Sequence, residues 1–108
     1  MKRVAFVALL AVLAVPVASA ADVPVTVTLK DHKFFPAEIH VKANQPNVIA
    51  LSNNDDTIEE FDSPALKVEK VVAGHSQGDV RIRPLAPGRY EYTGEFHADT
   101  AHGVVIAE

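Results

Sequence analysis

The stretch "LAPGRYEYTGEFHADTAHGVVIA" (residues 85–107) decides the fold. Within it, "RYEYTGE" (89–95) alternates Tyr90 and Tyr92 with polar and charged residues, and "GVVIA" (103–107) is a short apolar run. Both read as β-strands. Ahead of them, Pro87-Gly88 suits the two central positions of a type II turn. Leu85, Pro87, Gly88 and Tyr90 have the spacing of a tyrosine corner, in which the phenol bonds backbone a few residues upstream. That device belongs to Greek-key sandwiches. Between the two strands lies "GEFHADTAHG" (94–103), with His97 and His102 five residues apart and Glu95 and Asp99 beside or between them. It reads either as the ligand loop of a metal site or as a polar turn.

The rest of the chain is patterned the same way. "VPVTVTL" (23–29) puts Val23, Val25, Val27 and Leu29 on one face, and "EIHVK" (38–42) alternates Ile39 and Val41 with polar residues. "NVIALSN" (47–53) is an apolar strand that ends in turn formers. "LKVEKVV" (66–72) and "DVRIRPL" (79–85) complete a set of seven short runs separated by turn residues, including "NQPN" (44–47). Such spacing predicts an antiparallel all-β sandwich or barrel. No ten-residue stretch carries a 3.6-residue period, so any helix is short. There is no internal repeat, linker or low-complexity segment, and the expectation is one domain.

The first twenty residues are set apart. Lys2 and Arg3, the apolar run Val4 to Val17, and Ala18-Ser19-Ala20 match the three regions of a secretory signal peptide. The run falls short of the roughly 20 residues a spanning helix needs. Residues 1–20 are therefore expected to be removed, leaving one periplasmic domain over 21–108 with no membrane span. Without Lys2 and Arg3 that domain holds 8 Lys and Arg against 14 Asp and Glu, a formal charge of −6. Such an acidic domain argues against nucleic acid as a partner and suits cations. The chain has no cysteine and its one methionine is Met1, so the expected mature domain contains no sulfur.

Two segments resemble a known family. "FFPAEIHVKANQPNVIALSNND" (34–55) resembles the opening strands of cupredoxins, and "PGRYEYTGEFHADTAHG" (87–103) their closing ligand loop. The resemblance covers 23–108 and implies a Greek-key β-sandwich, cupredoxin-like, with a metal at one end. Carried over position by position, the family's first histidine ligand falls on Glu59, with Phe61 matching the aromatic two residues on. The cysteine falls on Gly94, the second histidine is kept as His97, and the methionine falls on His102 or on Ala101. A blue-copper centre needs a thiolate, so this chain is not expected to form one. "EEFDS" (59–63), Leu66, Glu69-Lys70 and "GEFHADTAHG" resemble instead the small periplasmic cupredoxin-like proteins associated with bacterial ferrous-iron permease systems.

Taken as chemistry, Glu59, Glu60, Glu69, Glu95, Asp99, His97 and His102 offer only carboxylate and imidazole donors. That set suits iron, Mn(II), Cu(II) or Zn(II), and suits Cu(I) poorly. The candidate metal ligands are His97, Glu59, His102, Glu60, Glu69 and Glu95. Glu59 and Glu60 are adjacent and in an extended segment face opposite sides; parity with Phe61 selects Glu59 as the inward one. Surface pairing with Lys67 or Lys70 competes with ligation at Glu69. His40 reads as exposed, His75 as a loop histidine without an orienting acid, and His32 in "DHKF" as surface at a strand end. No phosphate-binding Gly loop, serine elbow or basic-aromatic interleaving is present.

The expected function is a metal-binding protein of iron acquisition, with a copper or iron ion as cofactor or cargo and an inner-membrane iron permease or another periplasmic uptake component as partner. Oxidation of Fe(II) would need a redox-active metal and an electron route, and the residues establish neither. The reading therefore favours a binding protein over an enzyme. A copper-dependent ferroxidase and a metal-free interaction module are the alternatives.

Overall fold

The computed structural model describes residues 3–5, 8, 11 and 23–108. Apart from those isolated positions, the expected signal peptide and its cleavage point lie outside the described residues. The described residues form nine strands: β1 (Val25–Lys30), β2 (Lys33–Phe35), β3 (Glu38–Val41), β4 (Asn47–Asn53), β5 (Glu59–Ser63), β6 (Val68–Val72), β7 (Ser76–Ile82), β8 (Gly88–Gly94) and β9 (His102–Ala107). A 3-10 turn, Glu95–His97, opens the last loop directly after β8. Two of the nine, β2 and β5, are absent from the seven runs legible in sequence.

The strands build two sheets, ordered β2-β1-β4-β7 and β3-β9-β8-β5-β6. Both are mixed, because β1 runs parallel to β4 and β3 parallel to β9. The expectation of a purely antiparallel sandwich is corrected here. The other two pairs of strands that are not sequence neighbours, β4 with β7 and β5 with β8, are antiparallel. The architecture is otherwise the expected all-β sandwich.

Alternation explains the packing. In β4, Asn47, Ile49, Leu51 and Asn53 face inward, and in β1 so do Val27 and Leu29. From the other sheet come Ile39, Phe61, Tyr92, Val105 and Ala107, and all these apolar side chains join one core. Val23, expected on the inward face, precedes β1 and is exposed. Tyr92 stacks on Phe61 with ring centroids 4.5 Å apart and meets Phe34 edge-on at 5.0 Å. Fully burying such a side chain contributes about 1.5–3 kcal/mol. Gly103 lies opposite Tyr92 in the β8–β9 ladder, where a Cβ would fall within the tyrosine ring. Burial pushes the Tyr92 phenol up to about 12.

The tyrosine corner is present, in a form that displaces the predicted turn. Tyr90 Oη donates to the Ala86 carbonyl at 2.8 Å. That carbonyl is the acceptor a type II turn over Ala86–Arg89 would use. Gly88 has φ 158°, extended rather than near the roughly +80° such a turn requires, and it already begins β8. Among the described residues no helix is long and apolar enough to cross a membrane.

Candidate metal-binding end

Three loops meet at one end of the sandwich. Asp31-His32 connects β1 to β2 as a two-residue turn with φ 52° and 58°, flanked by the pair Lys30↔Lys33. Positive φ at both positions is the signature of the tight hairpin turn that matches strand twist. The Asp55 carboxylate clamps it, accepting from Asp31 N at 2.7 Å and His32 N at 2.9 Å. Burial works to raise the Asp55 pKa, but these backbone donors outweigh it and hold the carboxyl below its ordinary range. Asn53, fully buried, steers the loop carrying Asp55. Its Nδ2 donates to Thr57 and Val72 carbonyls at 2.8 and 3.1 Å, and its Oδ1 accepts from Asp55 N at 3.0 Å. Thr100 Oγ1 donates to the His32 carbonyl at 2.7 Å, tying the third loop to the first.

Glu59 sits at the centre of this end with no exposure. Its Oε1 accepts from Phe96 N at 2.9 Å and Glu60 N at 3.1 Å, and its Oε2 lies 2.5 Å from His97 Nδ1. The His97 side chain retains 21 % exposure, and its ring stacks on His32 at 3.6 Å and 15°. Glu59 therefore faces inward and Glu60 outward, as parity requires.

The space that Glu59 fills is the space beside residue 94. A Cβ on Gly94 would stand 2.7 Å from Glu59 Cδ and 2.7 Å from Ala101 Cβ. Gly94 has φ −87° and ψ 105°, a conformation open to any residue, so what excludes a side chain is the occupied volume. Ala101 is fully buried against this spot, and His102 is exposed on the far side of β9. Of the two registers that the resemblance left open, the inward position is Ala101.

A second group of donors lies on the outer face of the five-stranded sheet. Glu60 and Asp62 alternate along β5, and Asp62 pairs with Glu69 on β6. Carboxylate oxygens of Glu60, Asp62 and Glu69 lie within 4.8 Å of one another. Oxygens sharing one hard cation at about 2.0–2.6 Å lie roughly 3–5 Å apart, so the spacing fits a single ion. Among the described residues no Lys or Arg bridges any of the three, including Lys67 and Lys70. Desolvation and the negative charges of Glu69, Asp62, Glu95 and Glu59 hold the Glu60 carboxyl above its ordinary value.

The sequence-derived candidates thus separate into distinct places. Glu59 and His97 come together inside, Glu60 and Glu69 come together outside with Asp62, and Glu95 adds charge beside Glu60. His102 pairs with Thr93, which pairs with Asp62, so it lies two strands from the carboxylates. At about 4.8 Å per strand that is roughly 10 Å. Sequence reasoning missed Asp62 and misplaced His32 and His75. Reading 59–63 as a strand would have put Asp62 beside Glu60. Two turn residues between Leu29 and Phe34 signalled the hairpin that delivers His32. His75 does have an acid partner, Asp56 Oδ1 at 2.5 Å, while His40 is exposed as expected, bonded to Glu108 at 2.8 Å.

The arrangement defines a Greek-key sandwich with polar ligand-capable loops gathered at one end. A model of the cupredoxin-like domain matches residues 3–107, and the chain belongs to that family. An uncharacterised protein of Rickettsia prowazekii is 45% identical over 82 residues, covering 76% of this chain; the chain spans 66% of that relative's length. Among solved structures, the metal-binding domain of the Cu(I)-exporting P-type ATPase CopA of Streptococcus pneumoniae aligns with TM-score 0.67 and 14% identity, over 79% of this chain and 84% of that one. Auracyanin A, a blue copper protein of Chloroflexus aurantiacus, aligns at 0.63 and 17%, over 80% and 98%. A purple cupredoxin of Nitrosopumilus maritimus aligns at 0.61 and 11%, over 78% and 99%. At these identities the likeness is one of fold.

A thiolate-bound copper does not fit the residues present. Gly94 supplies no donor, the Glu59 carboxylate occupies the adjoining volume, and Ala101 offers only a methyl group. Nor is the 2.5 Å gap between Glu59 Oε2 and His97 Nδ1 wide enough for a metal, since two donors on one ion lie roughly 3 Å apart or more. That pair lies at hydrogen-bond distance.

Proposed function

We propose that this chain is an exported cupredoxin-like protein of iron acquisition. On this reading residues 1–20 are its signal peptide, residues 21–108 its periplasmic domain, and an inner-membrane iron-permease complex its recipient. The iron ion is held by Glu60, Asp62 and Glu69, with Glu95 adding negative charge at the rim. His97 is the nitrogen donor at the adjoining end of the sandwich, where copper would bind in preference to iron.

The observation that supports this most directly is the convergence of three unpaired carboxylates from two strands within 4.8 Å. An all-oxygen donor set suits hard and borderline cations such as iron, and the absence of sulfur removes the donors that favour Cu(I). A surface carboxylate group also leaves coordination positions open to a recipient's ligands, as delivery requires. The Cu(I) and blue copper held by structural relatives show that metal binding is a recurrent use of this fold.

Anaerobic calorimetric titration with Fe(II), with Mn(II) as surrogate and Cu(II) as competitor, tests the proposal. Glu60→Gln/Glu69→Gln should weaken Fe(II) and Mn(II) binding roughly 10-fold or more while leaving the fold intact. Unchanged affinity would sink the carboxylate site. Copper-dependent oxidation of Fe(II) under air would move the reading to a ferroxidase. Absence of binding by every metal would leave a protein-interaction module.

A further inference from the structure

Glu59 is a fully buried carboxylate, and both of its oxygens are engaged. Oε1 receives two backbone N–H groups, so it must be an acceptor. Oε2 then either accepts a proton from His97 Nδ1 or carries the proton and donates it. Between a carboxylate and an imidazole the proton belongs on the stronger base, the imidazole, by about two pH units of unperturbed basicity. In its neutral form His97 is therefore the Nδ1–H tautomer, with its only lone pair on Nε2.

The ring is fixed in two directions. Glu59 holds its edge, and the His32 ring covers one face at 3.6 Å. His32 is in turn held by Asp55 and Thr100. It is not a second ligand in this geometry, because a metal lies in the plane of each imidazole that binds it, and two rings tilted by only 15° and stacked have planes that do not meet at a shared ion.

We propose that Glu59 is a positioning residue rather than a ligand: it locks His97 as the Nδ1–H tautomer and leaves Nε2 as that ring's single nitrogen lone pair. The inference rests on the reading of His97 as a nitrogen donor and specifies which atom donates. Carboxylate partners of this kind orient metal-binding histidines and raise their basicity. A ligand of borderline class, Cu(II) or Zn(II), would meet one protein nitrogen and open positions.

The substitution Glu59→Gln inverts the prediction. With the glutamine carbonyl kept at the Oε1 position to receive the two backbone donors, its NH₂ faces His97 Nδ1. That ring nitrogen must then accept, which moves the proton to Nε2 and removes the outward lone pair.

Long-range hydrogen–nitrogen correlation spectra of nitrogen-15-labelled protein, recorded well above the ordinary imidazole pKa of about 6.5, read the tautomer directly. Wild-type protein should show Nδ1 protonated at His97 and Nε2 bare. Added Zn(II) should shift Nε2 while the Nδ1 proton persists. Glu59→Gln should show the Nε2–H form and bind Zn(II) about 10–100-fold more weakly. An Nε2–H tautomer in the wild type, or loss of the Nδ1 proton on Zn(II) binding, would overturn the positioning role without help from any variant. A retained Nδ1–H form with no response of His97 to Zn(II) would overturn the nitrogen-donor reading beneath it.

Discussion

Replacing Gly94 by alanine tests whether the Glu59 carboxylate is what keeps residue 94 bare. In an ordinary strand, glycine is destabilising by about 0.5–1 kcal/mol relative to alanine, so the change should help. Gly94 φ and ψ are ordinary for a strand, which removes backbone strain from the account. The new Cβ, however, would meet Glu59 Cδ at 2.7 Å, Glu59 Oε2 at 2.9 Å and Ala101 Cβ at 2.7 Å. Glu59 has little room to retreat, because its carboxylate is held by Glu60 N, Phe96 N and His97. Overpacking of this kind costs about 1–3 kcal/mol. Net destabilisation should then be about 1 kcal/mol, or a fall in Tm of roughly 4–8 °C for a domain of this size. Removing Glu59 should relieve two of the three close contacts. Urea denaturation of wild type, Gly94→Ala, Glu59→Ala and the double variant yields a coupling energy, expected at about 1–2 kcal/mol in favour of the double variant. Strict additivity, or a stabilising Gly94→Ala in the wild-type background, would show that the two residues do not compete for the same space.

Tyr90→Phe keeps the ring and deletes the bond to the Ala86 carbonyl, so it should cost about 0.5–1.5 kcal/mol in urea denaturation and leave metal binding unchanged. Asp55 has a folded-state pKa below its ordinary value, so its contribution is present above the unfolded pKa and fades as pH falls through the folded one. Acid titration of stability should therefore steepen below about pH 4 in wild type and less so in Asp55→Asn. Cu(II)-loaded protein should show only weak ligand-field absorption, because the sequence supplies no thiolate for an intense charge-transfer band. An intense visible band would refute the assigned donors.

Strand patterning was legible because it is local. Alternation in "NVIALSN" fixed which residues of β4 face inward, and the spacing of Leu85, Pro87, Gly88 and Tyr90 announced a corner that the Tyr90–Ala86 bond realises. Parity alone separated Glu59 from Glu60. β5 was hidden for the opposite reason: "EEFDS" alternates acidic residues with Phe61 and Ser63, and its inward face includes a carboxylate. A buried glutamate is not an apolar signal, and its bonds to Glu60 N in the same strand and to Phe96 N and His97 in the last loop make that burial tolerable.

By itself the sequence determined the strand periods, the tyrosine corner and the absence of cysteine, since each depends on residues within a few positions or on composition. Which candidates share a site was decided only by tertiary structure. Adjacent residues such as Glu59 and Glu60 end on opposite faces, while Glu59 and His97, 38 positions apart, meet at 2.5 Å. His32 and His97 stack although one belongs to the first hairpin and the other to the last loop. Sheet order places His102 two strands from the outer carboxylates and brings Glu69 beside Asp62. Convergence of donors is a property of how strands are ordered and registered, and a linear pattern with a period of two carries no information about either.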